Sequence, residues 1–261
     1  MKIILSPAKK MNIVPDILDY TALPEHLPQT EDILKWLKSK SYTELQNLWE
    51  CNDKIAEQNF ERLKHMDLRK QLTPAILSYE GIAYQYMAPV VFEDKQFDYV
   101  QEHLRILSAF YGVLRPMDGV TPYRLEMQAK ASIDGHKSLY DLWGSRIYES
   151  VRDQDGVIIN LASEEYSKCV EKYLTKHDTY ITVIFCEASE GRRVTKANYA
   201  KMARGEMVRH MAEMQIENPA EIKKFDRLGY VYRDDLSTDL EYVFERLDKE
   251  KSSWKYLQPT L

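Results

Sequence analysis

Two stretches of the sequence concentrate charged side chains that could bind an anion or move a proton. The first contains two turn signals in quick succession, the dipeptides Arg-Pro at 115–116 and Asp-Gly at 118–119. Loop backbone beside an apolar segment often presents charged side chains that bind a ligand or tie the loop down. The candidate DNA- or anion-binding residues here are Arg115, Tyr123 and Arg124, and Glu126 is a candidate general acid or base.

The second stretch lies between 192 and 210 and holds six basic residues against one acid, Glu206. Cations recur there at spacings of 3 and 4, so we predict a helix at 194–215 with several of them on one face. Gly205 within this helix costs roughly 1 kcal/mol relative to alanine, which suggests that another element approaches closely. The alternative is a solvated basic helix balanced by the acidic C-terminal region. The candidate binding residues of this stretch are Lys196, Lys201, Arg204 and Arg209.

Polar residues also follow two predicted buried strands, Lys2–Leu5 and Val157–Asn160. Ligands of open α/β sheets bind beside the loops at the carboxyl ends of such strands, so neighbouring strands would bring these residues together. Alternatively, Lys9 is a solvated lysine after a proline turn, Ser163 is an ordinary N-cap, and Glu165 compensates a helix dipole. The candidates are Ser6, Lys9, Asn160 and Ser163 for binding, and Glu165 for proton transfer.

The sequence contains no recognisable motif for metal binding, cofactor binding or nucleophilic catalysis. The sequence contains no Cys-x-x-Cys, His-x-x-x-His or Glu-x-x-His, so we expect no metal site. It contains no Gly-x-Gly-x-x-Gly or Walker loop, and its nine glycines leave little material to cradle phosphates, so no cofactor is expected. No serine or cysteine has a base that the sequence reveals, although such partners can be distant in sequence. Whether the protein is an enzyme therefore stays open.

The elements that must position these residues combine helices and strands. Residues 103–127 begin with apolar side chains at helical spacing, so we predict a helix there that Gly112 ends. Further helices are predicted at 31–39, 42–63 and 139–151, and further strands at 179–185, 230–232 and 240–244, the last two as a terminal hairpin. We therefore predict a mixed α/β (α+β) fold, a single compact domain over 1–261 with a mixed β-sheet core enclosed by helices. Residues 251–261 are predicted to be a frayed tail.

Composition bounds the class of protein. A chain of 261 residues that is 44% apolar can bury a sizeable core. Its three cysteines are far apart, which argues for a reducing compartment, so we expect a cytoplasmic protein. The first apolar residues are too few for a signal peptide, and no apolar run approaches the roughly 18–20 residues of a membrane span. With 36 basic and 41 acidic residues, binding to DNA would need local clustering of cations. We expect a monomer.

Several of these stretches together resemble a known family. The resemblance is carried by LRILSAFYGVLRP, PYRLEM, LYDLWG and INLASEEYSK, with SPAK near the start and KMARG later. These segments are similar to the peroxide stress resistance protein YaaA family, and the similarity covers nearly the whole chain. It implies a soluble bacterial cytoplasmic protein that limits peroxide damage, is tied to lowering free intracellular iron, and binds DNA. It implies no known reaction, and it favours a ligand role for Lys9, which lies in a matching motif.

Two function classes follow. The first is a DNA-binding stress protein whose basic cleft contacts mainly phosphates. The second is an enzyme that acts on a small anionic substrate, with the same cations as a clamp and Glu126 or Glu165 as acid or base. The shape of the site separates them. An open groove wide enough for a duplex favours the first, whereas an enclosed pocket with a carboxylate of perturbed pKa favours the second.

Overall fold

The computed structural model describes residues 1–14, 18–189 and 192–247, so the tail predicted to fray lies outside the described residues. The helices are α1 Leu27–Lys38, α2 Tyr42–Trp49, α3 Asp53–His65, α4 Ala75–Ser78, α5 Ile82–Met87, α6 Asp94–His103, α7 Leu139–Trp143, α8 Arg146–Val151, α9 Glu164–Glu171 and α10 Ala197–Met214. The strands are β1 Lys2–Leu5, β2 Lys10–Met11, β3 Thr73–Pro74, β4 Tyr79–Glu80, β5 Leu104–Ser108, β6 Gly112–Leu114, β7 Gly119–Val120, β8 Val157–Asn160, β9 Thr179–Ser189, β10 Arg192–Val194, β11 Tyr230–Tyr232 and β12 Glu241–Arg246. Short 3-10 helices lie at Pro89–Val91, Pro219–Lys224, Arg227–Gly229 and Asp234–Leu236.

The central sheet is mixed. Its strand order is β11-β12-β9-β8-β1-β5-β6, with β10 paired to β9. The inner pairs are parallel, and Ile3 of β1 lies opposite both Leu104 of β5 and Ile159 of β8. Strands β9 and β12 continue the parallel part beyond β8. Antiparallel pairing of β5 with β6 and of β11 with β12 then completes the two edges.

The inner strands are apolar because helices and loops cover them on both faces. Ile3 and Ile4 are fully buried, and Lys2 directs its ammonium group to Glu102, 2.6 Å away. The strands predicted at 2–5 and 157–160 are confirmed, and the one predicted at 179–185 extends to Ser189.

The helix predicted at the start of 103–127 is wrong. This segment forms the antiparallel hairpin of β5 and β6, with Ser108 opposite Gly112. Every residue of both strands is buried. An apolar run that is buried all round has the same composition in a helix as in a strand, so its spacing could not separate the two. Gly112 has a φ of +76°, and a Cβ there would lie 2.7 Å from the ring of Trp143.

Three other predicted helices have different bounds. The helix predicted at 42–63 is broken into α2 and α3, because Glu50 is left-handed and the side chain of Asn52 caps α3 by accepting from the N–H of Ile55 at 3.0 Å. The helix predicted at 139–151 is broken at Gly144, whose φ is +53°. The basic helix begins at Ala197, because Val194 is the last residue of β10 and Lys196, with an extended backbone, is the N-cap. The terminal hairpin is confirmed as β11 and β12.

The connections of β1 and β8 create a crevice between two adjacent parallel strands. From β1 the chain passes to β5 on one side of β1, whereas from β8 it passes to β9 on the opposite side. The two loops therefore diverge at the carboxyl ends of these strands. Such a topological switch point is where open α/β sheets bind their ligands.

The fold class is confirmed as mixed α/β, built on one connected core of buried apolar side chains. Helix α10 packs against α5 and α6 and contacts β9, and α8 packs against β6. Among the residues that the structure describes, no helix is both long enough and apolar enough to cross a bilayer.

Candidate functional site

A cavity of about 530 Å³ opens at the carboxyl ends of β1 and β8, and we call it the switch-point pocket. Helices α5 and α10 and the loop after β7 supply its other walls. Its polar and charged lining residues are Ser6, Lys9, Lys10, Glu80, Tyr84, Tyr123, Arg124, Glu126, Ser163, Glu165, Tyr166, Lys201 and Arg204. Its remaining lining residues are Leu5, Pro7, Ala8, Gly81, Ile82, Ala83, Leu125 and Leu161.

Ser6 and Ser163 join the two strand-end loops. The backbone N–H of Ser163 donates to the Ser6 Oγ at 2.8 Å, and the two hydroxyl oxygens lie 3.0 Å apart. The hydroxyl of Tyr84 donates to the carbonyl oxygen of Ser6 at 3.0 Å. Ser163 occupies the N-cap position of α9, but its side chain makes no cap hydrogen bond. The serine pair therefore fixes the floor of the pocket.

Glu126 lies between two cations. Its Oε2 is 2.6 Å from the Lys9 Nζ, and its Oε1 accepts from the Arg124 Nη2 at 3.2 Å. The Arg124 Nη2 also lies 3.5 Å from the carbonyl oxygen of Trp49, but its buried Nε has no hydrogen-bond partner. The carboxylate of Glu126 is thus compensated within the protein, while the Nε donor of Arg124 is unused.

Glu165 has contrasting surroundings. Burial raises the pKa of its carboxyl group, and the nearby charge of Glu126 raises it further. The backbone N–H of Gln128 donates to its Oε1 at 3.3 Å, and this hydrogen bond and Lys9 oppose the increase in pKa. Two carboxyl groups with different environments in one pocket are suited to separate acid and base roles.

Arg204 presents an unpaired cation to the pocket. Its Nε is buried and has no hydrogen-bond partner among residues 1–14, 18–189 and 192–247. Burial lowers the pKa of this guanidinium. Lys201 lies three residues earlier on α10, on the same helical face, and is exposed. These two residues form a cationic wall against which an anion could bind.

Gly205 explains how α10 comes so close to the pocket. A Cβ at this position would lie 1.9 Å from the carbonyl oxygen of Ala83 in α5. Only a residue without a side chain permits this helix contact, as the sequence suggested. The contact fixes Arg204, the preceding residue, against the wall formed by α5.

Tyr123 lines the pocket, but its hydroxyl is already bonded. The hydroxyl lies 2.7 Å from the Ser108 Oγ and 2.9 Å from the hydroxyl of Tyr79, and the ring stacks on Phe110. Burial raises the pKa of Tyr123 to about 12. Tyr123 therefore contributes to the packing of the pocket wall. A contact between its hydroxyl and DNA would require its hydrogen bonds to Ser108 and Tyr79 to break.

Four other predicted binding residues are not among the residues that line the switch-point pocket. Arg115 is exposed at the end of β6, where its backbone N–H binds Asp118. Asn160 is buried and accepts from the N–H of Ala162 at 2.9 Å. Lys196 and Arg209 pair at 2.7 Å with acids that do not line the pocket, Glu187 and Glu213 respectively. Helical spacing alone could not reveal these ion pairs.

Helix α5 is the wall that sequence reasoning missed. Its lining residues are mainly apolar, so no charge marked them as part of a site. A signal was present in Gly81, because a Cβ there would lie 2.9 Å from the Cβ of Ala8. Glu80, just before it, holds Lys10 at 2.8 Å and also accepts from Asn12.

Metal ligands are the remaining class of site. Within 1–14, 18–189 and 192–247, no group of three or more His, Cys, Asp or Glu residues is placed to hold a metal ion. Cys51, Cys169 and Cys186 are free thiols.

Comparison with known proteins gives a consistent family. The family model of peroxide stress protein YaaA matches residues 1–236. A UPF0246 protein of Agathobacter rectalis is 66% identical over 246 residues, covering 94% of this chain and 99% of the relative. UPF0246 proteins of Lachnoclostridium phytofermentans and Pediococcus pentosaceus are 52% and 51% identical; the alignments cover 94% and 96% of this chain and 96% and 100% of those relatives. The chain belongs to the peroxide stress protein YaaA family.

Proposed function

We propose that the protein binds a small organic anion in the switch-point pocket and exchanges a proton with it through Glu165. The observation that carries this proposal is the buried, unpartnered Nε of Arg204 in the pocket wall. A buried donor without a partner costs roughly 1–3 kcal/mol, so a ligand that draws this guanidinium into a hydrogen bond offsets that cost. Lys201 adds a second positive charge on the same face of α10.

The two carboxyl groups support a reaction in addition to binding. Glu126 is paired with Lys9 and Arg124, which suits a fixed negative charge that orients a donor of the ligand. Glu165 has a raised pKa, so it holds a proton at higher pH than an ordinary carboxyl group. It is therefore the residue suited to take a proton from the bound ligand and to give it back.

The size of the pocket supports an organic ligand. Its volume of about 530 Å³ falls within the range of roughly 300–1,000 Å³ that is usual for small-molecule sites. Apolar residues such as Leu125 and Leu161 form part of its lining, and they would contact carbon atoms of the ligand.

Calorimetric titration with glycerol phosphate and with inorganic phosphate tests the proposal. We expect saturable binding to the wild type and at least about tenfold weaker binding to Arg204→Gln, because a charge-assisted hydrogen bond is lost. Arg69→Gln is the matched control, since Arg69 is exposed and pairs with Glu31 on another part of the surface. Equal binding by the Arg204 variant and the wild type would contradict the proposal.

DNA is a second candidate ligand of the same region. Lys9, Lys10 and Lys201 are exposed residues of the pocket lining, so a nucleic-acid strand could place its phosphates on their ammonium groups. Arg115, Lys196 and Arg209 do not line the pocket. Anisotropy measurements of duplex binding in a salt series test this candidate.

We also propose that the protein acts in the peroxide stress response by limiting free iron and DNA damage. Membership of the peroxide stress protein YaaA family supports this proposal. A deletion strain should lose viability in hydrogen peroxide and contain more chelatable iron than its parent. Equal survival and equal iron in the two strains would contradict it.

A further inference from the structure

The charged side chains of the switch-point pocket form two separate groups. Lys201 and Arg204 lie on α10 and line one wall of the pocket. Glu126, in the loop after β7, and Glu165, on α9, form the second group, in which Glu126 pairs with Lys9 at 2.6 Å. A ligand that uses both groups must therefore carry an anion at one end and hydrogen-bond donors at the other.

Apolar residues lie among the walls of the same cavity. Leu5 and Pro7 come from the end of β1, Ile82 comes from α5, and Leu161 follows β8. The middle of the ligand must therefore tolerate apolar contact. Nucleobases satisfy this requirement, because their faces stack on apolar and aromatic groups while their edges form hydrogen bonds.

We infer that the ligand of the switch-point pocket is a nucleotide unit, with its phosphate on Lys201 and Arg204 and its amino-bearing base at Glu126 and Glu165. This inference rests on the proposed function and names the class of its organic anion. Carboxylates accept hydrogen bonds from the exocyclic amino groups of bases such as cytosine. The keto oxygen of uracil at the same position would face carboxylate oxygens and would be disfavoured.

The same chemistry can come from two sources, a free nucleotide or a nucleotide of a DNA strand. A single-stranded end could insert one unit into the pocket while further phosphates contact the exposed Lys9 and Lys10. Titration of both forms distinguishes the sources. A free nucleotide source predicts equal affinity for CMP and a 5′-phosphorylated oligonucleotide, and a strand source predicts tighter binding of the oligonucleotide.

Isothermal titration calorimetry at fixed salt with CMP, UMP, cytidine and inorganic phosphate tests the inference. We expect CMP to bind at least about tenfold more tightly than UMP, cytidine or inorganic phosphate. In Arg204→Gln, the affinity for CMP should approach the affinity for cytidine. In Glu165→Gln, the affinity for CMP should approach the affinity for UMP. Arg69→Gln should change neither ratio of affinities.

The outcomes separate the inference from the proposed function. If inorganic phosphate and CMP bind with equal affinity and both depend on Arg204, the nucleotide class is wrong and the anion site stands. If CMP and UMP bind equally well, contact of the carboxylates with an amino group is wrong. If none of these anions binds, both the inference and the proposed function are overturned.

Discussion

At the scale of single residues, the arginines differ in how many of their guanidinium N–H groups already have a hydrogen-bond partner in the protein. Arg209 pairs with Glu213, and Arg227 pairs with Glu206 and Glu213, so these guanidinium groups stabilise the fold. Arg124 and Arg204 each keep a buried Nε without a partner, and both line the switch-point pocket. Unused donors that line one cavity support the proposed ligand site more directly than the number of cations in a segment does.

The raised pKa of Glu165 predicts a pH-dependent cost in stability. Between its ordinary value of 4.5 and its raised value, the folded protein holds a proton that the unfolded chain has released. The free energy of unfolding therefore falls as pH rises through this window, and the cost remains at higher pH. Glu165→Gln should remove the cost. We expect urea denaturation to show a variant that is more stable than the wild type at neutral pH, with this advantage absent below the ordinary pKa.

Glu164→Gln is the control for this prediction. Glu164 is the adjacent exposed carboxylate, and its hydrogen bond to Lys168 lowers its pKa, so the sign of its contribution is opposite. Its replacement should give no advantage at neutral pH. A neutral-pH stability of Glu165→Gln equal to or below that of the wild type would show that burial of this carboxylate is compensated in the folded protein.

At the scale of elements, the pocket depends on the contact between α10 and α5. Gly205→Ala would place a methyl group 1.9 Å from the carbonyl oxygen of Ala83, so the two helices must separate. In an ordinary helix this substitution stabilises by about 1 kcal/mol, but overpacking of this kind costs about 1–3 kcal/mol. We expect a net loss of stability in thermal denaturation and weaker binding of glycerol phosphate, because Arg204 moves with α10.

A second substitution distinguishes overpacking from a general weakness at this position. The clash involves a backbone oxygen of Ala83, so shortening that side chain in Gly205→Ala with Ala83→Gly should not restore stability or binding. Full recovery in the double variant would show that the side chain of Ala83, and not its carbonyl group, limits the approach of α10.

The elements also show what the sequence could and could not predict. The strands β1 and β8 were predictable because short apolar runs are followed by polar loops, and this placed Ser6, Lys9 and Ser163 at the same sheet edge. The hairpin of β5 and β6 was not predictable from spacing, because burial on all sides removes the amphipathic pattern. Lys196 was misplaced because its partner, Glu187, lies on β9 and is remote from the helical pattern.

At the scale of the whole molecule, net charge opposes the DNA binding proposed above, whereas the pocket lining holds more cations than acids. The chain has a formal net charge of −5, whereas five cationic and three acidic side chains line the switch-point pocket. A polyanion would therefore be repelled by most of the surface and attracted at this opening. Binding through phosphates should be strongly salt-dependent and should have little sequence preference.

Two double variants of α10 and its N-cap test whether DNA uses this opening, because both remove two cations from the same region. Lys201→Ala with Arg204→Ala removes cations that line the pocket. If DNA binds there, the slope of log affinity against log salt concentration should decrease in magnitude by up to about two. Each phosphate contact contributes about 0.9 to this slope. Lys196→Ala with Arg209→Ala should leave the slope unchanged, because neither residue lines the pocket.

In the control double variant, the two acids that lose a partner each keep a second arginine partner. Glu187 keeps its contact with Arg246 at 3.2 Å, and Glu213 keeps its contact with Arg227. Fluorescence anisotropy on several unrelated duplexes then compares the two double variants at equal change in net charge. Equal slopes for the two double variants would show that DNA binding depends only on overall charge. If the pocket binds glycerol phosphate but the protein does not bind duplex DNA, only the small-anion function remains.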